Sequence, residues 1–500
     1  MVTPHFLSKS KYIRGLQCHK SLWLSKEGKV KPRDTPESLK IIFEEGIRVG
    51  EEARKLFPDG KLINYKGSNF DEKIARTKEW LISGESTIYE ATFKFDDVLV
   101  MVDILNQGEN GWEFYEVKAA SDVYINKSKI VKDVFLQDLA IQYYVLKGSG
   151  LDISSAFLVH INNQYVRQGP LEIEKLFSIV DLTEEVVDTQ INVDEQLKVM
   201  RDVLCGDEPN IKIGVYCDKP YECDFKSHCW PEEILNGYSV FDISGLNTSK
   251  KFELYESGII KVEEVPDSFS LSDNQRLQVK TELSGKEIID HEKINKFLND
   301  LYYPLYFLDF ETFMQAIPEW DGFRPYQQIP FQYSIHCIER EGEGSSHLEF
   351  LAEENSDPRK SMVTRLVGDI PIGACVLAYN YSFEKNVISN LAKQVEEYSD
   401  HLMDIHNNMR DLMIPFQKKY YYKKEMKGRY SIKAVLPALI GNSPYLKMEV
   451  NDGMEASNNY KNLSLIKDLA KKKEIKKNLK IYCKQDTESM VEILKCLKAI

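Results

Sequence analysis

The sequence predicts an α/β protein made of two α/β units joined by a helical piece. Three observations carry this expectation. A chain of 500 residues exceeds what one hydrophobic core ordinarily supports. Strand-like runs at 98–105 and 112–118 lead into a helical pattern at 131–146. A second strand-and-helix pattern starts at Tyr302, with the apolar run Leu305 to Leu308.

Helical spacing over 36–57 ends at the turn signal Pro58-Asp59-Gly60. Residues 106–111, with Gly108 and Asn110-Gly111, form a hairpin loop between the first two strands. The helix at 131–146 stops near Gly148, and three cysteines cluster at 217–229. From 241 to 299 helix-like pieces surround 253–260, with a second break at Pro266-Asp267. Strand-like segments recur at 331–337, 347–351 and 375–379, and a helix at 476–497 closes the chain. The implied domains are 1–240, a helical connector at 241–299, and 300–500.

Hydrophobic residues at 43% and charged residues at 29% exclude a disordered or fibrous chain. A net charge of −13 argues against binding nucleic acid through a basic surface, yet metal-binding carboxylates lower the same total. Met1 to Phe6 lacks the layout of a signal peptide, and no apolar run approaches a membrane span. The expectation is a cytoplasmic protein without a membrane partner, in which nine cysteines point to metal rather than disulfides.

Asp103 lies on one strand and Glu116 and Lys118 on the next. Residues two apart share a strand face, so a hairpin can gather all three. Two carboxylates suit a hard divalent cation, and a lysine beside them can polarise water or neutralise developing phosphate charge. Asp, a short gap, then Glu-x-Lys on adjacent strands is the chemistry of the PD-(D/E)xK nucleases. Cys217, Cys223 and Cys229 are evenly spaced among Gly, Pro and Asp, and Cys18 stands alone upstream. Four thiolates can hold an iron–sulfur cluster or a tetrahedral zinc. Cys205, Cys337, Cys375, Cys483 and Cys496 have no ligand spacing and read as packing residues.

Asp309 and Glu311 share one face at the end of a buried strand, and Tyr482 and Asp486, four apart, share a helix face. Lys418 to Lys424 interleaves basic residues with Tyr420, Tyr421 and Tyr422, a pattern suited either to gripping a single strand or to a solvated edge. Lys471 to Lys477 reads as a solvated helix face, and the surroundings of Gly258 faintly resemble a helix–hairpin–helix phosphate holder.

Residues 1–235 resemble the iron–sulfur RecB-type nucleases, including the CRISPR-associated exonucleases and the B subunit of the AddAB helicase–nuclease. The resemblance implies a restriction-endonuclease-like core with catalytic Asp103, Glu116 and Lys118, and a 4Fe–4S cluster on Cys18, Cys217, Cys223 and Cys229. It also implies a further acidic metal ligand at Glu51 and a Gln/Tyr motif among Gln137, Gln142 and Tyr143. Two departures are the C-x5-C step from Cys217 to Cys223 and Gly50 where many members carry a histidine.

Residues 300–500 resemble the DnaQ-like DEDD exonucleases of the ribonuclease H-fold superfamily, in the branch with a Tyr-x-x-x-Asp motif. Asp309 and Glu311 match the first motif, and Tyr482 and Asp486 the third. In the middle motif Glu384 stands at the usual aspartate position, with Asp411 as the alternative ligand. The resemblance implies two Mg2+ or Mn2+ ions held by the acids, with the tyrosine orienting water. The whole chain resembles a family of uncharacterised bacterial proteins pairing these two domains, carried by Ser431 to Pro437 and Tyr482 to Thr487. These resemblances imply a metal-dependent nuclease for DNA single strands or ends, in repair, recombination or defence, with a helicase or similar partner. The rival expectations are a non-catalytic nucleic-acid-binding scaffold with decayed sites, or a C-terminal domain that trims RNA.

Overall fold

The computed structural model describes residues 7–27, 30–33, 37–63, 69–125, 128–450 and 452–500. Met1 to Phe6 and Pro36, on which two of the expectations above rest, lie outside the described residues. The chain is mixed α/β and divides into two units. One comprises Met1–Pro231 with Gln315–Gln327, and the other Glu232–Met314 with Gln328–Ile500, so the connector residues fall in the second unit. No described helix is long and apolar enough to cross a membrane.

The first unit is built on strands β1 (Leu7–Ser8), β2 (Lys61–Leu62), β3 (Thr87–Phe95), β4 (Val98–Gly108), β5 (Gly111–Lys118), β6 (Ile153–Ile161) and β7 (Phe177–Asp181). Their order is β2-β3-β4-β5-β6-β7, with β1 added parallel on β4. The β3–β4–β5 meander is antiparallel, while β5 and β6 run parallel through the crossover helix Asp133–Gly148. The strands extend through both glycines of the expected hairpin loop, leaving only Glu109 and Asn110 at the turn. One face of the sheet packs Val98, Val100, Val102 and Leu105 against the helices Asp133–Gly148 and Thr183–Cys205. The other face packs Ile104, Tyr115 and Val159 with Val49 and Ala53 of helix Glu37–Ala53 and with Ala316 and Ile317.

Between Val102 and Leu105 the strict alternation of β4 slips, because both face the same core although three residues apart. The slip falls where Asp103 lies across from Glu90, which has a φ of +58°. A left-handed non-glycine residue costs about 1 kcal/mol or more. Such irregularities re-aim side chains near functional sites.

The second unit carries β8 (Ile288–Ile289), β9 (Leu305–Phe313), β10 (Ile329–Ile338), β11 (Ser346–Leu351), β12 (Cys375–Ala378), β13 (Met409–Asp411) and β14 (Tyr421–Tyr422). Five of these form one sheet in the order β11-β10-β9-β12-β13, and β8 pairs with β14. Along β9, Tyr306, Leu308 and Phe310 face one core, while Leu305 and Phe307 face the other with Met490 and Leu494 of helix Leu469–Lys498. Asp309 and Glu311 have the same parity as Phe307 and therefore point toward that helix. The helix starts seven residues before the expected 476, because Asp468 caps it by accepting from the amides of Ala470 (2.8 Å) and Lys471 (3.2 Å).

Helices Thr248–Glu256, Asp273–Ser284 and His291–Asn299 occupy the connector segment, with a small core of Val240, Leu254, Val262 and Val279. Gly258 stops the first of them at φ +79°, and its amide is spent on Tyr255 O (2.9 Å). That accounts for the glycine without a phosphate. The aromatic part of the run at 418–424 is largely withdrawn from solvent. Tyr421 and Tyr422 are buried in the core, and Lys419 lies buried over the Tyr422 ring at 4.1 Å. Burial pushes the Lys419 ammonium down to about 8. Part of the lysine-rich helix face is paired, Lys472 with Glu354 (2.7 Å) and Lys476 with Glu353 (2.8 Å) and Glu354 (2.7 Å).

Candidate functional site

Asp103, Glu116 and Lys118 come together in the first unit as the hairpin requires. Asp103 Oδ2 accepts from the amide of Val117 (2.7 Å), and Lys118 Nζ donates to Glu116 Oε1 (2.7 Å) and to Asp138 Oδ2. Two further residues complete the cluster. Lys9, from the start of helix Lys9–Gln17, donates to the same Glu116 oxygen at 2.7 Å and lies 3.2 Å from Asp138 Oδ1. Gln142 is the glutamine that reaches the site, donating from Nε2 to Glu116 Oε2 (2.8 Å), while its own carbonyl oxygen is buried without a partner. Gln137 and Tyr143 lie elsewhere on that helix, Gln137 accepting from the hydroxyl of Tyr12 (3.4 Å).

Burial, then repulsion from Glu116, pushes the Asp103 carboxyl up to about 8, partly opposed by Lys9. Burial acts on Glu116 the same way, but Lys118 and Lys9 outweigh it and hold that carboxyl well below the usual range. The pair therefore splits: Asp103 keeps a proton that Glu116 gives up. Glu51 does not join them. Val49 and Ala53, four apart, bury one face of their helix, and Glu51 between them is exposed on the other. The acid that acts on Asp103 from outside the pair is Glu90.

Cys18, Cys217, Cys223 and Cys229 line one cavity of the first unit, although Cys18 is separated from the others by most of its sequence. Cys18 sits extended between the helices Lys9–Gln17 and His19–Glu27. Gln17 fastens this end to the cysteine loop through the carbonyls of Tyr216 (2.8 Å) and Tyr221 (2.7 Å), and Arg14 fastens it to Asp224 (2.6 Å). Burial, together with the neighbouring thiols, pushes Cys229 up to about 11 and also raises Cys217. Mutually opposed thiolates in one cavity are the donor set that a bound cation relieves. Of the remaining cysteines, Cys337 and Cys375 are buried as expected, but Cys205 is exposed.

In the second unit Asp309 and Glu311 face Asp486 and Tyr482 of helix Leu469–Lys498. The ligand atoms of Asp309, Glu311 and Cys483 all lie within 4.8 Å of one another. Cys483 is fully buried, as a packing residue would be, and its thiol also reaches Asp309 Oδ2 at 3.7 Å. Three positions before Asp486, it neighbours that acid along the helix. Glu384, from the first turn of Ser382–Gln394, is buried with Oε2 unpartnered, and its charge acts on both Asp309 and Glu311. Asp411 is otherwise engaged, accepting from the amides of Asn380 (3.0 Å) and Met413 (2.9 Å) and so bracing the Glu384 turn. The arrangement places Glu384, not Asp411, with the β9 acids.

Burial, then the neighbouring acids, raises Asp309 and Glu311 well above the carboxylate range. Burial raises Glu384 to about 8, and it raises Asp486 to about 6 against the opposing pull of Tyr445 and Lys433. The Tyr445 hydroxyl donates to Asp486 Oδ1 (2.7 Å), and Lys433 Nζ donates to the Tyr482 hydroxyl (3.2 Å). Sequence reasoning passed over Tyr445 entirely; Lys433 lay inside the segment at 431–437 but carried no role. Three buried acids and the half-buried Asp309, with so little compensating charge, are poised for cations, and the orphaned Glu384 oxygen fits that demand.

Residues 306–431 match a family model described as a domain of unknown function, DUF2779. That stretch holds Asp309, Glu311, Glu384 and Asp411 but not Tyr482 or Asp486. An uncharacterized protein of Ureaplasma parvum serovar 3 is 27% identical over 329 residues, which is 57% of this chain and 44% of that protein. The chain thus spans under half the length of that relative.

Proposed function

We propose that this chain is a metal-dependent nuclease acting on DNA single strands or ends, with one phosphodiester-cleaving centre in each unit. On this reading the first unit is a RecB-type PD-(D/E)xK core stapled by a 4Fe–4S cluster, and the second a DnaQ-like DEDD exonuclease core of ribonuclease H type. The observation that carries it is the second cluster, where buried Glu311, Glu384 and Asp486 gather around the half-buried Asp309 with an unpartnered carboxylate oxygen. An acid cluster of that kind is costly to keep unless cations neutralise it.

Hydrolysis adds hydroxide to phosphorus and a proton to the leaving oxygen, breaking one P–O bond. Bound magnesium or manganese would lower the pKa of water and neutralise phosphate oxygens. In the second unit Asp309, Glu311, Glu384 and Asp486 would hold it. There Lys433 donates to the Tyr482 hydroxyl, and that hydroxyl bonds Asp486, which fixes it beside the acids where a water would be oriented. In the first unit Asp103 and Glu116 would hold it. Glu116 and Asp138 hold the Lys118 ammonium where it can meet a phosphate oxygen.

The test is cleavage of end-labelled single- and double-stranded DNA, with RNA alongside, in magnesium or manganese. Asp103→Ala and Asp309→Ala should each leave part of the activity, and the double variant none. Wild-type protein with its metals loaded that binds DNA or RNA but cleaves neither would sink the proposal.

A further inference from the structure

The first carboxylate site and the four-thiol cavity share one structural member, the helix Lys9–Gln17. Its first residue sets the Lys9 ammonium on Glu116 Oε1 at 2.7 Å and near Asp138 Oδ1 at 3.2 Å. Its last residue, Gln17, is bonded to the cysteine loop, and Cys18 follows directly into the thiol cavity. Nine residues at the α-helical rise make a rod of about 13 Å.

The rod is stiff and gripped at its middle. Tyr12 is fully buried in the main core, and Gly15 lies so close to Met200 that an added Cβ would come within 2.6 Å of its sulfur. Such a helix pivots or shifts as a body rather than bending, so a displacement at Cys18 is felt at Lys9.

We propose that Lys9 is a positioning residue of the first site and that occupation of the thiol cavity holds it there. The proposal rests on the reading of Asp103 and Glu116 as metal ligands. Glu116 Oε1 receives two ammoniums, and a divalent cation using that oxygen must displace one of them. Lys118 belongs to the same strand as Glu116 and is held to it through Asp138 as well. Lys9 arrives on a separate element, so it is the one that yields. With the cavity filled, Cys18 is clamped and Lys9 is seated, which restrains Glu116 and Asp138 around Lys118. With the cavity empty, the Cys18 end keeps the helix packing and the bonds of Gln17 and Arg14 but lacks the clamp on its thiol, and Lys9 is held less firmly.

The experiment uses the full chain carrying Asp309→Ala, prepared anaerobically with the thiol site loaded. Manganese affinity is read from the free-ion electron paramagnetic resonance signal. Lys9→Met should tighten manganese binding roughly fivefold or more, a modest site-to-site coupling, and lower kcat. Cys18→Ser, or stripping of the thiol site from the unaltered cysteines with a chelator, should do the same. The double variant should be no tighter than either single one, and Lys9→Arg should restore the parent affinity. Additive effects of Lys9→Met and Cys18→Ser would overturn the link, and an unchanged affinity in Lys9→Met would overturn the role of Lys9.

Asp103→Asn separates the two readings. If manganese binding ignores that substitution, the metal assignment at the first site fails by itself. Amide hydrogen exchange over Gly111–Lys118 then still decides the link, because emptying the cavity should speed exchange in that strand. Unchanged exchange there, with changes confined to 213–230, would overturn it.

Discussion

Both units bury carboxylates at the end of a strand, but they balance the charge differently. In the first, Glu116 and Asp138 meet two ammoniums, Lys9 and Lys118, and Asp103 is left to carry a proton. In the second, Asp309, Glu311, Glu384 and Asp486 are opposed chiefly by Lys433, the cation that acts on Glu311 and Asp486. The first cluster is therefore balanced mainly by ammoniums, and the second mainly by protons that its raised carboxyls retain. A cluster balanced by ammoniums calls for one cation that exchanges with one of them. A surplus of acids calls for two, and stores repulsion until they arrive.

The largest expected effects test that difference by opposite signs. Lys118→Met removes one partner of a buried ion network and should destabilise the metal-free first unit by about 3 kcal/mol. Asp309→Asn removes one of several repelling acids and should stabilise the metal-free second unit by about 1 kcal/mol. The sequence offers a clean reporter. All five tryptophans, Trp23, Trp80, Trp112, Trp230 and Trp320, belong to the first unit. Urea unfolding followed by tryptophan emission reads that unit, and hydrogen exchange over Leu305–Phe313 reads the other. Shifts of the same sign in the two variants would erase the distinction.

The pH dependence comes next in size. Asp486 titrates near 6 and Glu384 near 8 when folded, above the ordinary carboxylate range of the unfolded chain. Between about pH 4 and those values the folded chain holds more protons than the unfolded one. These groups therefore support the metal-free fold most fully below about pH 4, and that support is lost as pH rises toward 8. Glu116 runs the other way. Its folded carboxyl is held below the usual range, so its contribution is present above about pH 4 and lost on acidification. Calorimetry without divalent ions should show the second unit melting lower at pH 8 than at pH 5, with magnesium restoring it at pH 8 far more than at pH 5. A metal-free second unit that gains stability over that interval would contradict the assignment of the acids.

What the sequence made legible follows from the range of its rules. Period-two parity on adjacent strands put Asp103 with Glu116 and Lys118, and Asp309 with Glu311. The i, i+4 rule put Tyr482 with Asp486. Each concerns residues close in sequence or on one element. Lys9 was not legible, because no local pattern ties the first turn of an N-terminal helix to a strand more than a hundred residues on. Glu51 was misplaced because its helix buries the face of Val49 and Ala53 instead. The tyrosines at 420–422 read as surface because lysines flank them, yet pairing of β14 with β8 draws Tyr421 and Tyr422 into the core. Cys483 was dismissed for want of ligand spacing, a rule made for thiols that bind together and not for one thiol among carboxylates.

That last residue gives the smallest expected effect and the finest test of the second cluster. A hard magnesium gains little from a thiol, whereas cadmium favours sulfur. With Cys483 reaching Asp309 and sharing a 4.8 Å neighbourhood with Asp309 and Glu311, the site should take cadmium better than carboxylates alone would. Cys483→Ser keeps the size and removes the soft donor. Cadmium affinity at this site should fall on the order of tenfold, while magnesium affinity changes by less than about twofold. The four-thiol cavity also takes cadmium, so only the fraction displaced by excess magnesium counts. Equal losses for both ions would make Cys483 a packing residue after all, and an unchanged cadmium affinity would mean that its sulfur turns away from the bound ion.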